Sequence, residues 1–197
     1  MKRLQEKNSW EGEKIKGSRF IVNLAPIFSE EEAKQFLDMV AQKYPSARHH
    51  CYAYRLSSGM FRSSDSGEPR GSAGPPILQR LEGAELVDSI VVVTRYFGGT
   101  KLGIGGLIRG YGGAAGYALK EAEKVDIVLG EVFELEFSYT QSPTVSSVVN
   151  KFSGVVKEEK YSDIILMKVF IEQENSKGFM SEIIEKSSNK VLIRKSE

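Results

Sequence analysis

The sequence has little of the residues on which disulfide-bonded, zinc-binding and membrane-spanning proteins depend. Its 197 residues include one cysteine, two histidines and one tryptophan. Cys51 cannot form a disulfide within the chain, and its neighbours lack the spacing of zinc ligands. No apolar run exceeds about five residues, far short of the roughly 20 that cross a bilayer. The charged start has no apolar stretch behind it, so we expect no signal peptide and a cytoplasmic protein.

Sequence motifs of several enzyme classes are missing as well. There is no Walker A sequence, no G-x-S-x-G elbow and no paired-glutamate arrangement. Cys51 follows His49 and His50, but adjacent strand residues point to opposite faces. We therefore interpret Cys51 as a packed thiol that faces away from both histidines. Asp65 and Glu68 alone make a thin magnesium site, and we predict no catalytic residue, no metal and no cofactor.

Cations and glycines are concentrated in the middle of the chain. The formal net charge is only +1, which argues against strong non-specific binding to nucleic acid. Residues 1–129 nevertheless carry a net charge of +3, and residues 130–197 a net charge of −2. Seven of the ten arginines and 14 of the 19 glycines lie within residues 48–116. Because arginine offers a planar fork that suits phosphate or carboxylate, we expect a site in this segment.

The hydrophobic pattern predicts an α+β protein of two domains, residues 1–129 and 130–197. In the first domain, a capping box at Ser29 and Glu32 predicts the start of a helix that Pro45 ends. The elements predicted around that helix are a strand over residues 14–24, a strand over 50–56, a long surface loop over 57–76, a short helix around 77–81, a buried strand over 89–94 and a helix of about 17 residues from Gly105.

After Gly130 the pattern restarts with a second complete set of elements. Their order is strand, helix, strand, strand, helix, strand in about 65 residues, which is the ferredoxin-like arrangement. Ser142 and Pro143 predict the N-cap and first turn of the first of these helices. The residues predicted to face inward on the third strand are Ile165, Met167, Val169 and Ile171.

The glycine loop, residues 98–106, is the predicted binding site. Backbone N–H groups that glycine leaves bare, followed by the first turn of a helix, form a pocket for an anion. A strand end and the following helix start face the same edge of a sheet, so Arg95, Lys101 and Arg109 are expected to line one basic pocket. In the alternative interpretation, Arg95 and Arg109 pair with carboxylates and only hold the loop. We expect Glu68 to cap backbone amides of the long loop. The predicted phosphate- or nucleic-acid-binding residues are Arg95, Lys101, Gly103, Gly105, Gly106 and Arg109, with His50, Asp65, Glu68 and Arg70 as accessory residues.

Three blocks of the sequence resemble the YigZ/IMPACT family in order and spacing. They read ARHHCYAY at residues 47–54, DSGEPRGSAGPPIL at 65–78 and VTRYFGGTKLGIGGLIRGY at 93–111. The resemblance implies a first domain with a split β-α-β fold, akin to domain IV of elongation factor G, and a second domain akin to its domain V. Three positions depart from the family pattern: Ser66 replaces an aspartate, Ser72 a threonine and Gly110 an alanine. We interpret Gly110 as keeping a helix stripe of small residues while adding flexibility.

The resemblance also implies a link to translation. Eukaryotic members carry an additional N-terminal domain, through which they restrain a kinase that senses uncharged tRNA, and we expect this chain to lack that domain. The expected function is therefore a non-enzymatic regulator of translation that contacts RNA or the ribosome, but neither DNA nor membranes. Two alternatives stay open: an enzyme or sensor that binds a small phosphorylated ligand at the glycine loop, and a protein-interaction module that docks through the ferredoxin-like sheet. The sequence does not indicate an oligomeric state.

Overall fold

Two structural units make up the chain, each with its own hydrophobic core. The computed structural model describes residues 1–12 and 14–196, and it divides the chain into Met1–Ile127 and Val128–Glu197. The division lies two residues before the predicted boundary at residue 129. Within the described residues, no helix combines the length and the apolar character needed to cross a membrane.

An antiparallel sheet of five strands forms the centre of the first unit. The elements of this unit are β1 (Lys2–Leu4), β2 (Asn8–Glu11), β3 (Arg19–Pro26), α1 (Glu30–Lys43), β4 (His49–Arg55), β5 (Phe61–Ser64), α2 (Gly74–Gly83), β6 (Ser89–Tyr96), α3 (Gly103–Glu121) and β7 (Lys124–Asp126). The strand order in the sheet is β2-β3-β6-β4-β5, while β1 pairs with β7 in a separate ribbon. Strand β6 lies between β3 and β4, which α1 connects, so these elements form the split β-α-β arrangement that the resemblance implies.

Helices cover both faces of this sheet. Helices α2 and α3 pack on the face that carries Phe20 and Val93, and α1 packs on the face that carries Ile90 and Val92. The first seven residues of β6 are all buried. This is the environment that a strand with apolar side chains on both faces predicts.

Four strands of the first unit lack the pattern that predicts a strand. β1, β2, β5 and β7 have three or four residues each, and Leu4 is their only fully buried residue. The predicted loop over residues 57–76 therefore contains β5, and α2 also begins within it. The strand predicted over residues 14–24 begins at Arg19, because residues 15–18 form a turn in which Lys16 and Gly17 have positive φ. These short strands form because distant segments pair with them.

The second unit has the ferredoxin-like topology that the sequence predicts. Its elements are β8 (Gly130–Phe137), a 3-10 helical turn (Tyr139–Gln141), α4 (Ser142–Lys151), β9 (Val155–Tyr161), β10 (Ile165–Glu172), α5 (Ser176–Lys186) and β11 (Leu192–Lys195). The antiparallel strand order is β11-β8-β10-β9. The buried residues of β10 are the four that were expected to face inward, Ile165, Met167, Val169 and Ile171.

Of the helix caps that the sequence predicts, one is confirmed and one is wrong. Ser29 Oγ accepts the N–H of Glu32 at 3.1 Å, and the Glu32 carboxylate accepts the N–H of Phe28 at 3.0 Å. These bonds close the predicted start of α1. Ser142 is not a cap, because the 3-10 helical turn runs directly into α4 and makes Ser142 the first helical residue.

Candidate functional site

Glu68 and Arg95 form a buried ion pair next to the glycine loop. Arg95 Nη1 donates to Glu68 Oε1 at 2.7 Å, and the Arg95 and Glu68 side chains are only 7% and 5% exposed. The same carboxylate oxygen accepts a hydrogen bond from Tyr111 Oη at 2.7 Å. Arg95 Nη2 donates to Ser18 Oγ, which also accepts the N–H of Gly98. The ion pair therefore connects the long loop, β6, α3 and the glycine loop.

Arg95 is thus not part of an open basic pocket. Its guanidinium carbon lies 5.9 Å from the ring centroid of Phe20 and 5.8 Å from that of Phe97. Its buried Nε has no hydrogen-bond partner among the described residues. The alternative interpretation applies to Arg95, which pairs with a carboxylate. The expected single pocket of Arg95, Lys101 and Arg109 is not formed, because Arg95 is buried and committed to its ion pair.

Asp65 organises the segment that leads into α2. Its two carboxylate oxygens accept hydrogen bonds of 2.8 to 2.9 Å from the backbone N–H groups of Gly71, Ala73 and Gly74. Burial alone would raise the pKa of Asp65, but these three donors and the Arg70 guanidinium together hold it below its ordinary value. The residue that caps backbone amides is therefore Asp65, and the prediction of that role for Glu68 is wrong.

Cys51 and the two histidines fix the same loop to strand β4. Cys51 Sγ and His49 Nδ1 each donate, at 2.9 Å, to one of the consecutive carbonyl oxygens of residues 65 and 66. Residues two apart share a strand face, so the expectation that Cys51 faces away from both histidines is wrong for His49. It holds for His50, whose Nδ1 lies 3.0 Å from Thr94 Oγ1 on the neighbouring strand.

The pKa values of the groups around this loop do not favour nucleophilic chemistry. Burial raises the pKa of Cys51 to about 12, so the group is a protonated thiol at neutral pH. Burial, with the neighbouring Cys51 and Glu68, raises the pKa of Tyr111 well above its ordinary value, so the phenol keeps the proton that it donates to Glu68. Burial also lowers the pKa of His50, with a smaller contribution from His49, which keeps that ring neutral at pH 7. The network can hold a loop in place, but it presents no activated nucleophile.

The glycine loop passes close to another part of the backbone. A Cβ atom at Gly98 would lie 1.8 Å from the carbonyl carbon of Gly17, so no larger residue fits there. Gly99 and Gly103 have φ angles of 86° and 70°, in the left-handed region that glycine adopts without strain. The path of the loop therefore depends on glycine at these three positions.

Helix α3 begins at the end of this loop without a side-chain cap. The side chain of its N-cap residue, Leu102, has no hydrogen-bond acceptor, and no residue of the first turn is acidic. Gly105 and Gly106 lie in that turn. The Arg109 side chain folds back over it, so that Nη1 would be 3.6 Å from a Cβ atom at Gly105. A guanidinium group therefore lies beside the positive end of the helix dipole.

Lys101 and Arg109 are both exposed at this helix start. Within residues 1–12 and 14–196, neither cation has a carboxylate oxygen within 4.0 Å. The ten predicted site residues thus fall into two groups. The first group lies at the start of α3 and comprises Lys101, Gly103, Gly105, Gly106 and Arg109. The second group belongs to the long loop. It comprises Arg95, Asp65, Glu68 and His50, which hold the loop in place, and Arg70, which is exposed beside Asp65.

The sequence analysis does not predict three exposed apolar side chains that lie within four positions of Lys101 or Arg109 in the chain. Phe97 precedes the glycine loop and is 60% exposed, while Ile104 and Ile108 of α3 are 60% and 42% exposed. The sequence did carry a signal for their exposure, because these apolar residues lie among glycines and cations in the chain. Tyr111 and Ser18 also belong to the buried network, but their partners are far away in sequence and leave no local signal.

The two carboxylates of the long loop already have hydrogen-bond partners. In the part of the chain that the structure describes, no group of three or more histidine, cysteine, aspartate or glutamate side chains is placed to hold a metal ion. Asp65 and Glu68, the two candidate carboxylates, are occupied by backbone N–H groups and by Arg95 and Tyr111.

Comparison with known proteins gives matches to both units. The family model described as Impact N-terminal domain matches residues 16–119, and the one described as Domain of unknown function (DUF1949) matches residues 135–190. An IMPACT family member from Haemophilus influenzae is 37% identical over 186 residues, which cover 92% of this chain and 90% of that protein. The IMPACT family member YigZ from Escherichia coli is 35% identical over 161 residues, covering 80% and 79%. A crystal structure of a hypothetical protein is 30% identical, with a TM-score of 0.68 over 100% of this chain and 97% of the other.

Proposed function

We propose that this chain, which belongs to the IMPACT family, regulates translation by binding RNA, either free or within the ribosome. The proposed contact surface is the α3 entrance, which we define as residues 101–109. The family resemblance suggests the link to translation, and the charges of the α3 entrance suggest the RNA contact. Arg95 contributes by holding the glycine loop and does not reach the ligand.

The observation that carries the proposal is the pair of unpartnered cations at an uncapped helix start. Lys101 and Arg109 are exposed, and no described carboxylate lies within 4.0 Å of either. The first N–H groups of a helix have no partner inside the helix, and the helix dipole places roughly half a positive charge at this end. Phosphate groups are the ligands that such an arrangement attracts.

The buried network supports binding in preference to catalysis. A catalyst needs a nucleophile or a base that can reach the substrate. The thiol of Cys51 is protonated and bonded to a carbonyl oxygen, and the carboxylate of Glu68 is bonded to Arg95 and Tyr111. These groups serve to shape the loop beside the α3 entrance.

Salt-dependent co-sedimentation with ribosomes tests the proposal. Arg109→Ala and Lys101→Ala should each weaken binding and lower the slope of log K against log salt concentration by about one unit, because each removes one phosphate contact. Thermal unfolding should be nearly unchanged, since both side chains are exposed and lack ion-pair partners among the described residues.

Arg194→Ala provides the matched control, because Arg194 is an exposed arginine of the second unit. An equal loss of binding in this variant would indicate general charge attraction and contradict the proposal. Unchanged ribosome binding in a folded Lys101→Ala, Arg109→Ala double variant would contradict it as well. A melting temperature raised by pyrophosphate, but not in Arg109→Ala, together with no ribosome binding, would favour a sensor of small phosphorylated ligands.

A further inference from the structure

We infer that the α3 entrance binds single-stranded RNA, with an unpaired base stacked on the exposed ring of Phe97; this inference rests on the proposed function. It names the kind of RNA that the site takes. Four features support this inference. The Phe97 ring is supported by Arg95, and the chain keeps it close to Lys101. Apolar side chains of α3 are exposed nearby, and the surface combines charged with apolar groups.

The Phe97 ring is exposed and supported from the protein side. It is 60% exposed, whereas Phe20 nearby is buried. The guanidinium carbon of Arg95 lies over the ring at 5.8 Å from the centroid, and Arg95 is itself held by its ion pair with Glu68. A ring held in this way offers a flat apolar surface on which another planar group can stack.

The chain connection keeps this ring close to the cations of the α3 entrance. Phe97 and Lys101 are four positions apart, so their Cα atoms lie at most about 14 Å from each other. A segment of a few nucleotides covers that distance. One base can therefore stack on Phe97 while a neighbouring phosphate lies at the helix start, where Arg109 folds over the first turn.

Two isoleucines extend the apolar surface along α3. Ile104 and Ile108 are 60% and 42% exposed and stand four residues apart, so they are neighbours on the helix surface. Arg109 folds over Gly105, the residue next to Ile104, so one cation lies beside this apolar pair. Isolated exposed apolar residues need no explanation, but three of them within four positions of Lys101 or Arg109 in the chain suit a ligand with apolar and anionic parts.

A nucleotide with an accessible base combines these properties. The cations select an anion, and the ring selects a planar apolar group, so inorganic phosphate alone leaves Phe97 unused. An RNA duplex keeps its bases stacked inside and offers mainly phosphates and ribose hydroxyls. Aromatic platforms beside a cationic groove are typical of proteins that bind single strands. The α3 entrance should therefore prefer an unstructured strand to a duplex.

Fluorescence anisotropy with two labelled RNAs tests the inference. The probes are an oligouridine of about 12 nucleotides and a blunt duplex of the same length, a size within the range that single-strand-binding domains cover. Because one base stacks on the ring, we expect the wild-type chain to bind the single strand about tenfold more tightly or better. Phe97→Leu keeps an apolar side chain but removes the stacking surface, so it should abolish most of this preference. Phe97→Tyr keeps the ring and should retain the preference.

The possible outcomes separate the inference from the proposed function. Equal affinity for the two RNAs, or an unchanged preference in a folded Phe97→Leu variant, overturns the inference and leaves the proposed function standing. Failure of both RNAs and of ribosomes to bind overturns the proposed function, and the inference with it. Binding to vesicles with anionic lipids that is stronger than RNA binding, and is lost in Phe97→Leu, also overturns the inference, because the apolar side chains would then insert into a membrane surface. Melting curves of each variant establish that it is folded.

Discussion

Glu68 Oε1 accepts hydrogen bonds from Arg95 and Tyr111, which lie 27 and 43 positions away in the sequence. Taking two charges out of water costs several kcal/mol per ion, and only good geometry and further hydrogen bonds offset that cost. Here Tyr111 supplies one further bond to the anion and Ser18 one to the cation. Because Ser18 also holds Gly98, the network joins the long loop to the glycine loop.

Glu68→Gln should destabilise the first unit strongly. The variant leaves the Arg95 guanidinium buried without an anion, and breaking a buried pair in this way costs about 3–5 kcal/mol. Urea unfolding followed by the fluorescence of Trp10, the one tryptophan, measures the change in the free energy of unfolding. Trp10 packs against the core of the first unit and therefore reports on its unfolding.

Glu11→Gln is the control for this measurement. Glu11 and Arg19 form an ion pair with the same 2.7 Å separation, but their side chains are 40% and 42% exposed. Water screens such a pair, so its loss should have a much smaller effect. Similar losses in the two variants would show that burial does not set the strength of the Glu68–Arg95 pair.

Among the elements, α3 is a long helix that contains seven glycines in its 19 residues. A glycine in a helix interior costs about 1 kcal/mol relative to alanine, so each one needs a reason. Gly110 has a packing reason, since a Cβ atom there would lie 2.6 Å from Cζ of the buried Phe20. Gly110 therefore allows close packing of α3 on the sheet, which is the reason that a stripe of small residues predicts.

A second group of glycines in α3 makes room for a neighbouring arginine. Arg80 Nε donates to the carbonyl oxygen of Gly112 at 3.1 Å. A Cβ atom at Gly116 would lie 3.3 Å from the Arg80 Cδ atom, so the arginine stem lies directly against the bare helix backbone. This contact fixes α2 against α3 on the same face of the sheet.

Two glycine-to-alanine substitutions in α3 should have opposite effects. Gly110→Ala forces the added methyl group against Phe20, and we expect a loss of about 1–3 kcal/mol in the free energy of unfolding. Gly113→Ala adds a methyl group that would have no atom within 4 Å apart from its chain neighbours and the nearby backbone of α3, and we expect a gain of about 0.5–1 kcal/mol. Urea unfolding of both variants measures the changes. Stabilisation by Gly110→Ala would contradict the packing argument.

For the whole molecule, the two units are expected to fold independently. Thirteen buried apolar residues form the core of the second unit, and all belong to that unit. The first unit is closed by its own termini, because β1 pairs with β7 and the buried Leu4 lies in that ribbon. Each unit therefore has a complete set of strand partners within its own residues.

Fragments 1–127 and 128–197 should both unfold cooperatively. The second has about 70 residues and lies near the lower limit for a core that folds alone, so native-like amide dispersion in NMR spectra is a better measure than high stability. Fragment 1–122 lacks β7 and leaves β1 without its partner, and we expect it to melt at a lower temperature than fragment 1–127. Equal melting temperatures would show that the ribbon of β1 and β7 contributes nothing to the first unit.

Elements whose pattern is local could be predicted from the amino-acid sequence. The capping box of α1 depends on residues three positions apart, and the order of strands and helices in the second unit follows from short-range periodicity. The apolar run of β6 was enough to predict a buried central strand. Short strands such as β1, β2, β5 and β7 carry no such pattern, since they form only when a distant segment supplies their hydrogen bonds.

The candidate site also has residues that the sequence could locate and contacts that form only in the folded chain. Glycines and cations at the start of α3 could be located from the sequence, because a glycine loop, a helix start and Arg109 follow one another along the chain. Three features are visible only in the folded chain: Arg95 pairs with Glu68, Asp65 caps the backbone amides, and Phe97 stays exposed. Ion pairing and burial depend on which groups meet in space, and here the partners of the ion pair lie on separate segments that the folded sheet brings together.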